Sequence, residues 1–494
     1  MDIEQFRKAG YQAIDRICDY YYSLEERPVV SQVQPGYLRE ALPESAPEKG
    51  EDFQLIADDY QKHIIPGMSP WQHPSFFAYF PTAGTFEGML GDLYCSSIPT
   101  PGFNWSCSPA ATELEAVVMD WGAKLFGLDS QFLNSSGIGG GVIQTTASDS
   151  ALVAVVAARS RYIRQYHTDV KQEDLIMYTT TQTHSLGLKA GLVLGLTCRA
   201  LEVKIEDQFA LREAVLRSAI EEDKKRGKHP FIIIATIGTT SSGAIDRLDE
   251  IGEVVKDYPS LWIHVDAAWA GVTLACPEFR EVAMLDSINQ YADSFCTNFH
   301  KWGLVNFDAS AMWVRNRKDL TDALDITPEF LRSKHGDAGT VIDYRNWHLG
   351  LGRRFRSLKV WFVLRSYGAE GFRNYIRAGI DLNNYFATLV RGSSNFSLVT
   401  EPSFALTVFR IVPPSVTDPI ASQTLLNSLN QSFHARISAR HDIWLTQTMI
   451  NGIFCIRFAV GAARTTKAHI DKAWKLINEE AEVVLANLGQ EGRD

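Results

Sequence analysis

A lysine stands where the chain is otherwise built for burial. In SFCTNFHKWGLVNFDAS, residues 294–310, Lys301 follows His300 and precedes Trp302. Apolar, aromatic-rich runs form core, and core rarely holds an unpaired ammonium. Burial lowers a lysine's pKa, and the neutral amine then attacks carbonyls to form a Schiff base. Three other places pair chemistry with a strand-like run. Asp266 ends the apolar stretch in LWIHVDAAWAG, and His184 follows DLIMYTT in TQTHSLGLKAG. The segment NSSGIGGGVIQTTASDSALVAVVAA reads as a glycine-rich loop leading into a helix that starts near Ser148, with Thr145, Thr146 and Ser148 at its opening.

Singly, each signal has a plain alternative. Free N–H groups and the dipole at a helix start suit a phosphate, but a tight loop with a capped helix reads the same way. The segment has neither a dinucleotide fingerprint nor the Gly-Lys-Ser/Thr of a P-loop. A carboxylate ending a buried strand either caps a neighbouring loop or faces a cation. A lone histidine is more often scaffold than catalyst. His264, Asp266 and His300 would also suit a metal, yet no H-E-x-x-H motif or cysteine cluster accompanies them. Together, an amine, a carboxylate, a histidine and an anion cradle fit one cofactor. Pyridoxal 5′-phosphate (PLP) has an aldehyde for Lys301, a pyridine nitrogen for Asp266 and a phosphate for the helix start.

The elements that must position these groups alternate. ATELEAVVMDWGAKLFG and SDSALVAVVAARSRYIRQY have helical periodicity, and DLIMYTT, FIIIATIG and LWIHVDAAWAG are β-rich runs of strand length. The amphipathic DRLDEIGEVVKDY lies between the last two, making a βαβ unit. This predicts an α/β fold with a mostly parallel central sheet and helices on both faces, ligands binding at the carboxyl ends of the strands. Residues 1–80 read as an N-terminal helical segment with too little core to stand alone, packing on the rest or on a second subunit. Residues 81–365 make the large α/β domain. In residues 366–494 the short strands FSLVT, ALTVFRIV and GIFCIRFAV mix with helices, a small α+β domain.

Composition narrows the classes. The 494 residues carry a net charge of −10 with no basic patch, against nucleic acid binding. No run is long and apolar enough for a membrane span, and the charged N-terminus lacks the form of a secretory signal. Seven cysteines without a C-x-x-C pair suit a reducing, cytoplasmic setting.

Six segments complete the picture: WQHPSFFAYFPT, SPAATELEAVVMDW, GGGVIQTTAS, HVDAAWAG, HKWGLVNFD and LGRRFRSLKVWFVLRSYG. With them the chain resembles, over nearly its whole length, the PLP-dependent aromatic L-amino acid decarboxylases, group II decarboxylases of fold type I (aspartate aminotransferase-like). The resemblance implies that Lys301 holds PLP covalently and that Asp266 pairs with its ring nitrogen. His184 would stack on one face of the ring and Ala268 would lie against the other, with Thr240 nearby. Ala147, Ser148 and Asn298 would hold the phosphate, and His300 would sit by the cofactor and the substrate carboxylate. Trp71, Tyr79, Phe80, Pro81, Thr82, Pro101, Phe103, Leu351 and Gly352 resemble the family's aromatic pocket, which is completed across a homodimer interface clasped by the N-terminal helices. The phosphate loop departs from many members in reading TTAS, and Phe299 replaces a common proline before the His-Lys pair.

A third departure bears on the product. Decarboxylating members carry a tyrosine in a mobile loop reading like PEYL; here TPEFLRSKHGDAG places Phe330 there. Loss of CO2 leaves a carbanion whose carbon must be protonated to release an amine. A phenol donates a proton and a phenyl ring has none. Members with this phenylalanine act as aromatic acetaldehyde synthases, so the resemblance implies decarboxylation with oxidative deamination by molecular oxygen. The products would be an aromatic acetaldehyde, CO2, ammonia and peroxide. His184 or a water as donor would instead leave a simple decarboxylase making arylalkylamines. A catalytically silent dimeric scaffold is a third reading, against which the complete Lys301, Asp266 and His184 set stands. Phenylalanine, tyrosine, DOPA and tryptophan are the expected substrates, and Gly352 leaves room for an indole.

Overall fold

The computed structural model describes residues 1–166 and 169–491. Seven strands form the central sheet: β1 (Gly140–Gln144), β2 (Leu175–Thr180), β3 (Thr197–Leu201), β4 (His229–Thr236), β5 (Trp262–Asp266), β6 (Ser294–Asn298) and β7 (Ser310–Val314). Their order is β1-β7-β6-β5-β4-β2-β3. Neighbours from β6 through β5, β4 and β2 to β3 are parallel, and β7 runs against both β6 and β1. Strands β1, β2, β4, β5 and β6 therefore all point their carboxyl ends to one edge of the sheet.

The strand sequences follow from double-sided burial. All of LIMYTT in β2 is buried, as is all of HPFIIIAT in β4 after its first residue. Strands covered on both faces read as continuous apolar runs rather than alternating ones. One face packs Ile176, Ile233 and Ile263 into a core shared with the C-terminal sheet, and the other packs Met177, Ile232 and Met312 beneath helix Ala147–Gln165.

The C-terminal part holds β8 (Phe396–Leu398), β9 (Leu406–Ile411), β10 (Thr446–Ile450) and β11 (Ile453–Ala459) in an antiparallel sheet of order β10-β11-β9-β8. Helix Arg356–Arg391 leads into it and breaks at Gly368, whose φ of 63° and ψ of 176° are open to glycine. Phe77 is bonded into this region: its N–H donates to the Trp444 carbonyl, its carbonyl accepts from Ala459, and its ring stacks on Phe458. From there the chain runs inward until Ala83 N–H donates to the Lys301 carbonyl at 2.9 Å. Residues 76–83 thus bridge the small sheet and the lysine.

The N-terminal helix Ile3–Tyr22 buries no residue, and Ile3, Phe6, Tyr11 and Tyr22 lie open. No helix among the described residues is long and apolar enough to cross a membrane.

Candidate active site

The carboxyl ends of β4, β5 and β6 and the start of helix Ala147–Gln165 enclose a cavity of about 230 Å³. Lys301 reaches it from the short helix Phe299–Trp302, which follows β6 directly. Among the described residues its Nζ makes no hydrogen bond or ion pair. It lies over the Phe80 ring, 5.4 Å from the centroid. Burial pushes the amine's pKa down, Asp266 opposes that shift, and Arg457 adds to it. An amine so placed is the nucleophile its surroundings favour.

Asp266 ends β5 and faces the cavity almost fully buried. Its Oδ1 accepts from the Ala268 N–H at 3.0 Å, which fixes the carboxylate and places Ala268 beside it. His184 stands at the mouth, where its Nδ1 accepts from the Leu186 N–H at 3.2 Å. In the neutral ring the proton is therefore on Nε2. Burial lowers the His184 pKa, partly offset by Asp266. His300 Nδ1 likewise accepts from Ala309 N–H at 2.8 Å, and burial pushes its pKa down to about 3, so this ring is neutral too.

At the other end, Thr146 caps the helix in a reciprocal box with Asp149: Thr146 Oγ1 accepts from Asp149 N–H, and Asp149 Oδ2 accepts from Thr146 N–H. This leaves the first-turn N–H groups, with Ala147 and Ser148 at the cavity wall, without intrahelical acceptors. The glycine-rich run is not that loop. Gly140 and Gly141 belong to β1, and the expectation of a glycine-rich phosphate loop is corrected accordingly. A Cβ on Gly139 would meet the Gln131 carbonyl at 2.1 Å, and one on Gly141 would meet Met119 at 2.6 Å. These glycines serve close packing, and the cavity wall at the helix start is formed by Thr146, Ala147 and Ser148.

Lys301, Asp266, His184, Ala147, Ser148, Thr240, Ala268, Asn298, His300 and Phe80 come together in this cavity. Pro81 and Thr82 continue the segment beyond Phe80, and Trp71 stacks on Tyr79 at 5.5 Å farther out. Phe330 is not in the cavity: it is 80% exposed on a turn held by buried Leu331, whose carbonyl accepts from Arg345. Pro101 and Gly352 line a separate surface cleft. Phe103 is half-buried, its carbonyl accepting from Arg345 N–H, and Leu351 is 48% exposed. His264 lies behind Asp266, buried and bonded to Ser294.

Residues without a sequence signal also line the cavity, among them Thr236, Gly238, Trp269 and Phe307. Thr236 is paired in register with Asp266. The Thr236 Oγ1 and Asn298 Oδ1 atoms are buried without partners among the described residues. Such orphans are rare in native interiors and mark a place for a polar group. Unbonded amine, carboxylate, free helix N–H groups and these two oxygens fit PLP.

Residues 35–412 match the family described as pyridoxal-dependent decarboxylase conserved domain. The chain is 43% identical over 491 residues to tryptophan decarboxylase 2 of Oryza sativa subsp. japonica, spanning 99% of this chain and 97% of that one. It is 43% identical over 488 residues to phenylacetaldehyde synthase of Arabidopsis thaliana, spanning 98% and 97%. The solved structure of Oryza sativa TDC with PLP and tryptamine superposes with a TM-score of 0.93 at 35% identity, over 98% of each chain. Fold and cavity are those of a fold type I pyridoxal-phosphate enzyme, a lyase. More narrowly, the chain belongs to the PLP-dependent aromatic L-amino acid decarboxylase family, group II, and its cofactor is PLP.

Proposed function

We propose that the protein decarboxylates aromatic L-amino acids and, because Phe330 occupies the loop position of a proton donor, passes the electron pair left by CO2 to molecular oxygen. One amino acid, one O2 and one water then give an aromatic acetaldehyde, CO2, NH3 and H2O2. Bound PLP supplies the electron sink for the pair left when CO2 departs. The chain does the rest. Lys301 supplies the amine that holds the cofactor, Asp266 keeps a negative charge at its ring nitrogen, and His184 and Ala268 confine the ring from either side. Ala147, Ser148 and Asn298 take the phosphate, with Thr240 beside the ring and His300 by the substrate carboxylate.

The observation that carries this reading is the phenyl ring of Phe330 in PEFL, which has no acidic hydrogen. Its exposure, and the distance of Pro101, Phe103, Leu351 and Gly352 from the cavity, fit a pocket completed by a second copy of the chain. The unburied apolar faces of residues 1–80 fit the same homodimer, with Trp71, Tyr79, Phe80, Pro81 and Thr82 lining the aromatic side. The chain divides into an N-terminal helical segment (1–80), a large α/β domain (81–365) and a small C-terminal α+β domain (366–494), and the seven free cysteines suit the cytoplasm.

A second reading has its own support. The His184 proton lies on Nε2, the nitrogen not engaged by Leu186, so an imidazole donor is available for simple amine formation. The similarity to a tryptophan decarboxylase and to a phenylacetaldehyde synthase is equal, 43% each. The test feeds phenylalanine, tyrosine, DOPA and tryptophan in air and measures amine, aldehyde and peroxide. Aldehyde with stoichiometric peroxide is expected, and Phe330→Tyr should shift the product to amine. Amine without peroxide from the unaltered protein overturns the oxidative reading.

A further inference from the structure

Behind Asp266 a line of buried polar side chains leads away from the cavity. In parallel register, Asp266 sits opposite Cys296 and His264 opposite Ser294. Alternate strand residues share a face, so Trp262, His264 and Asp266 of β5 meet Ser294 and Cys296 of β6 on one side of the sheet. All five are buried. Trp262 Nε1 lies 2.8 Å from Ser294 Oγ, and Ser294 Oγ lies 2.7 Å from His264 Nδ1. His264 Nε2 is 3.8 Å from Cys296 Sγ, which is 3.8 Å from Asp266 Oδ1.

The chemistry of the outer end sets the direction of the line. An indole N–H only donates, so Ser294 Oγ accepts from Trp262. The serine proton then has His264 Nδ1 as its acceptor. Burial pushes the His264 pKa down to about 4, so the ring is neutral and carries its single proton on Nε2. That N–H faces the sulfur, and the thiol proton faces the Asp266 carboxylate. Burial raises the thiol's pKa well above its ordinary value, so the group stays a donor. Each member has one proton to give and one acceptor to give it to.

We propose that Ser294, His264 and Cys296 are positioning residues that aim a thiol donor at Asp266 and so hold its carboxylate correctly oriented toward the cavity. The sulfur suits the gap: a serine hydroxyl, on a shorter bond, would fall outside hydrogen-bond reach of both neighbours. The inference rests on the reading of Asp266 as partner of the PLP ring nitrogen.

The test is the dissociation constant for PLP of the full-length protein, with thermal stability measured beside it, in Cys296→Ala, Ser294→Ala and Asp266→Asn alone and in combination. Losing one donor to a buried carboxylate should weaken PLP binding roughly two- to tenfold in Cys296→Ala. The loss in Ser294→Ala should be smaller. In the Asp266→Asn background neither change should weaken binding further, because the chain acts through the carboxylate; a packing defect would add instead. Ser294→Ala carries the test if Cys296→Ala does not fold. If Asp266→Asn binds PLP like the unaltered protein, the reading of Asp266 fails and the chain with it. If Asp266→Asn is weakened while Cys296→Ala and Ser294→Ala bind normally, or lose as much again without the carboxylate, the chain alone is overturned.

Discussion

The amine of Lys301 lies 5.4 Å from the centre of the Phe80 ring and takes no hydrogen bond from its surroundings among the described residues. The same ring carries the Arg457 guanidinium at 4.9 Å and stacks on Trp269 at 4.3 Å. Phe80 is thus one ring shared by two basic side chains and backed by Trp269. Burial costs the charged amine its hydration, and Arg457 repels what charge remains. Both favour a neutral amine ready to meet an aldehyde.

Arg457 should therefore assist PLP capture without touching PLP. In Arg457→Met the Lys301 pKa rises, less neutral amine is present at a given pH, and the pH midpoint of PLP incorporation moves upward. Stopped-flow absorbance of apoprotein mixed with PLP across pH reads this directly. An unmoved or lower midpoint would contradict the role given to Arg457.

An ion pair outside the cavity lining braces the strand that leads to Thr146. Arg353 and Glu115 are both buried, joined at 2.6 and 2.9 Å, and Glu115 also accepts from Ile143 N–H of β1 at 2.8 Å. Breaking such a pair strands a buried charge, so Glu115→Ala should cost about 3–5 kcal/mol of stability. The double variant Glu115→Leu with Arg353→Met should recover most of it. Urea unfolding of the three proteins checks this, and a Glu115→Ala cost below about 1 kcal/mol, the level of an exposed pair, would refute it.

Much of this was legible locally. HVDAAWAG announces a buried strand ending in Asp266, and HKWGLVNFD announces a lysine set in core. Other elements were hidden for physical reasons. Strand β1 is disguised by Gly140 and Gly141, which are needed for packing against Trp347, Met119 and Trp313. Strand β3 pairs only with β2 at the sheet edge and carries the mixed sequence TCRAL, without the apolar run of its neighbours. Thr236 looks like an ordinary β-former, and only the three-dimensional register with Asp266 shows it at the cavity wall. Phe330, Pro101 and Gly352 carry recognisable motifs, but motif spacing does not say where a side chain lies, and all three stand outside the cavity.

Acid should unfold the protein through its buried rings. His264 and His300 are held neutral, with pKa values of about 4 and about 3 against an ordinary value near 6.5. Below pH 6.5 the unfolded chain binds protons that the folded one refuses, so the stabilisation is full above that pH and is lost as pH falls toward 4. Each ring contributes a slope of about 1.4 kcal/mol per pH unit inside that window. Asp246, pushed up to about 6, offsets part of it with the opposite sign, because its proton is bound more tightly in the fold. Urea midpoints between pH 7 and 4.5 should fall steadily; a flat or rising trend is incompatible with two neutral buried rings.

Lys301→Ala should separate chemistry from folding. The side chain makes no hydrogen bond or ion pair among the described residues, so its loss leaves the fold intact, with a thermal midpoint close to that of the PLP-free unaltered protein. Turnover should fall on the order of a thousandfold or more, as for loss of any covalent anchor. Activity within a few fold of the unaltered enzyme would rule out the assigned role.

The most direct test of the whole account is where PLP attaches. Borohydride treatment of the PLP-loaded protein, followed by digestion and peptide mass spectrometry, should place one reduced pyridoxyl group per chain on the peptide containing Lys301. A label on any other lysine, or none at all, contradicts the account.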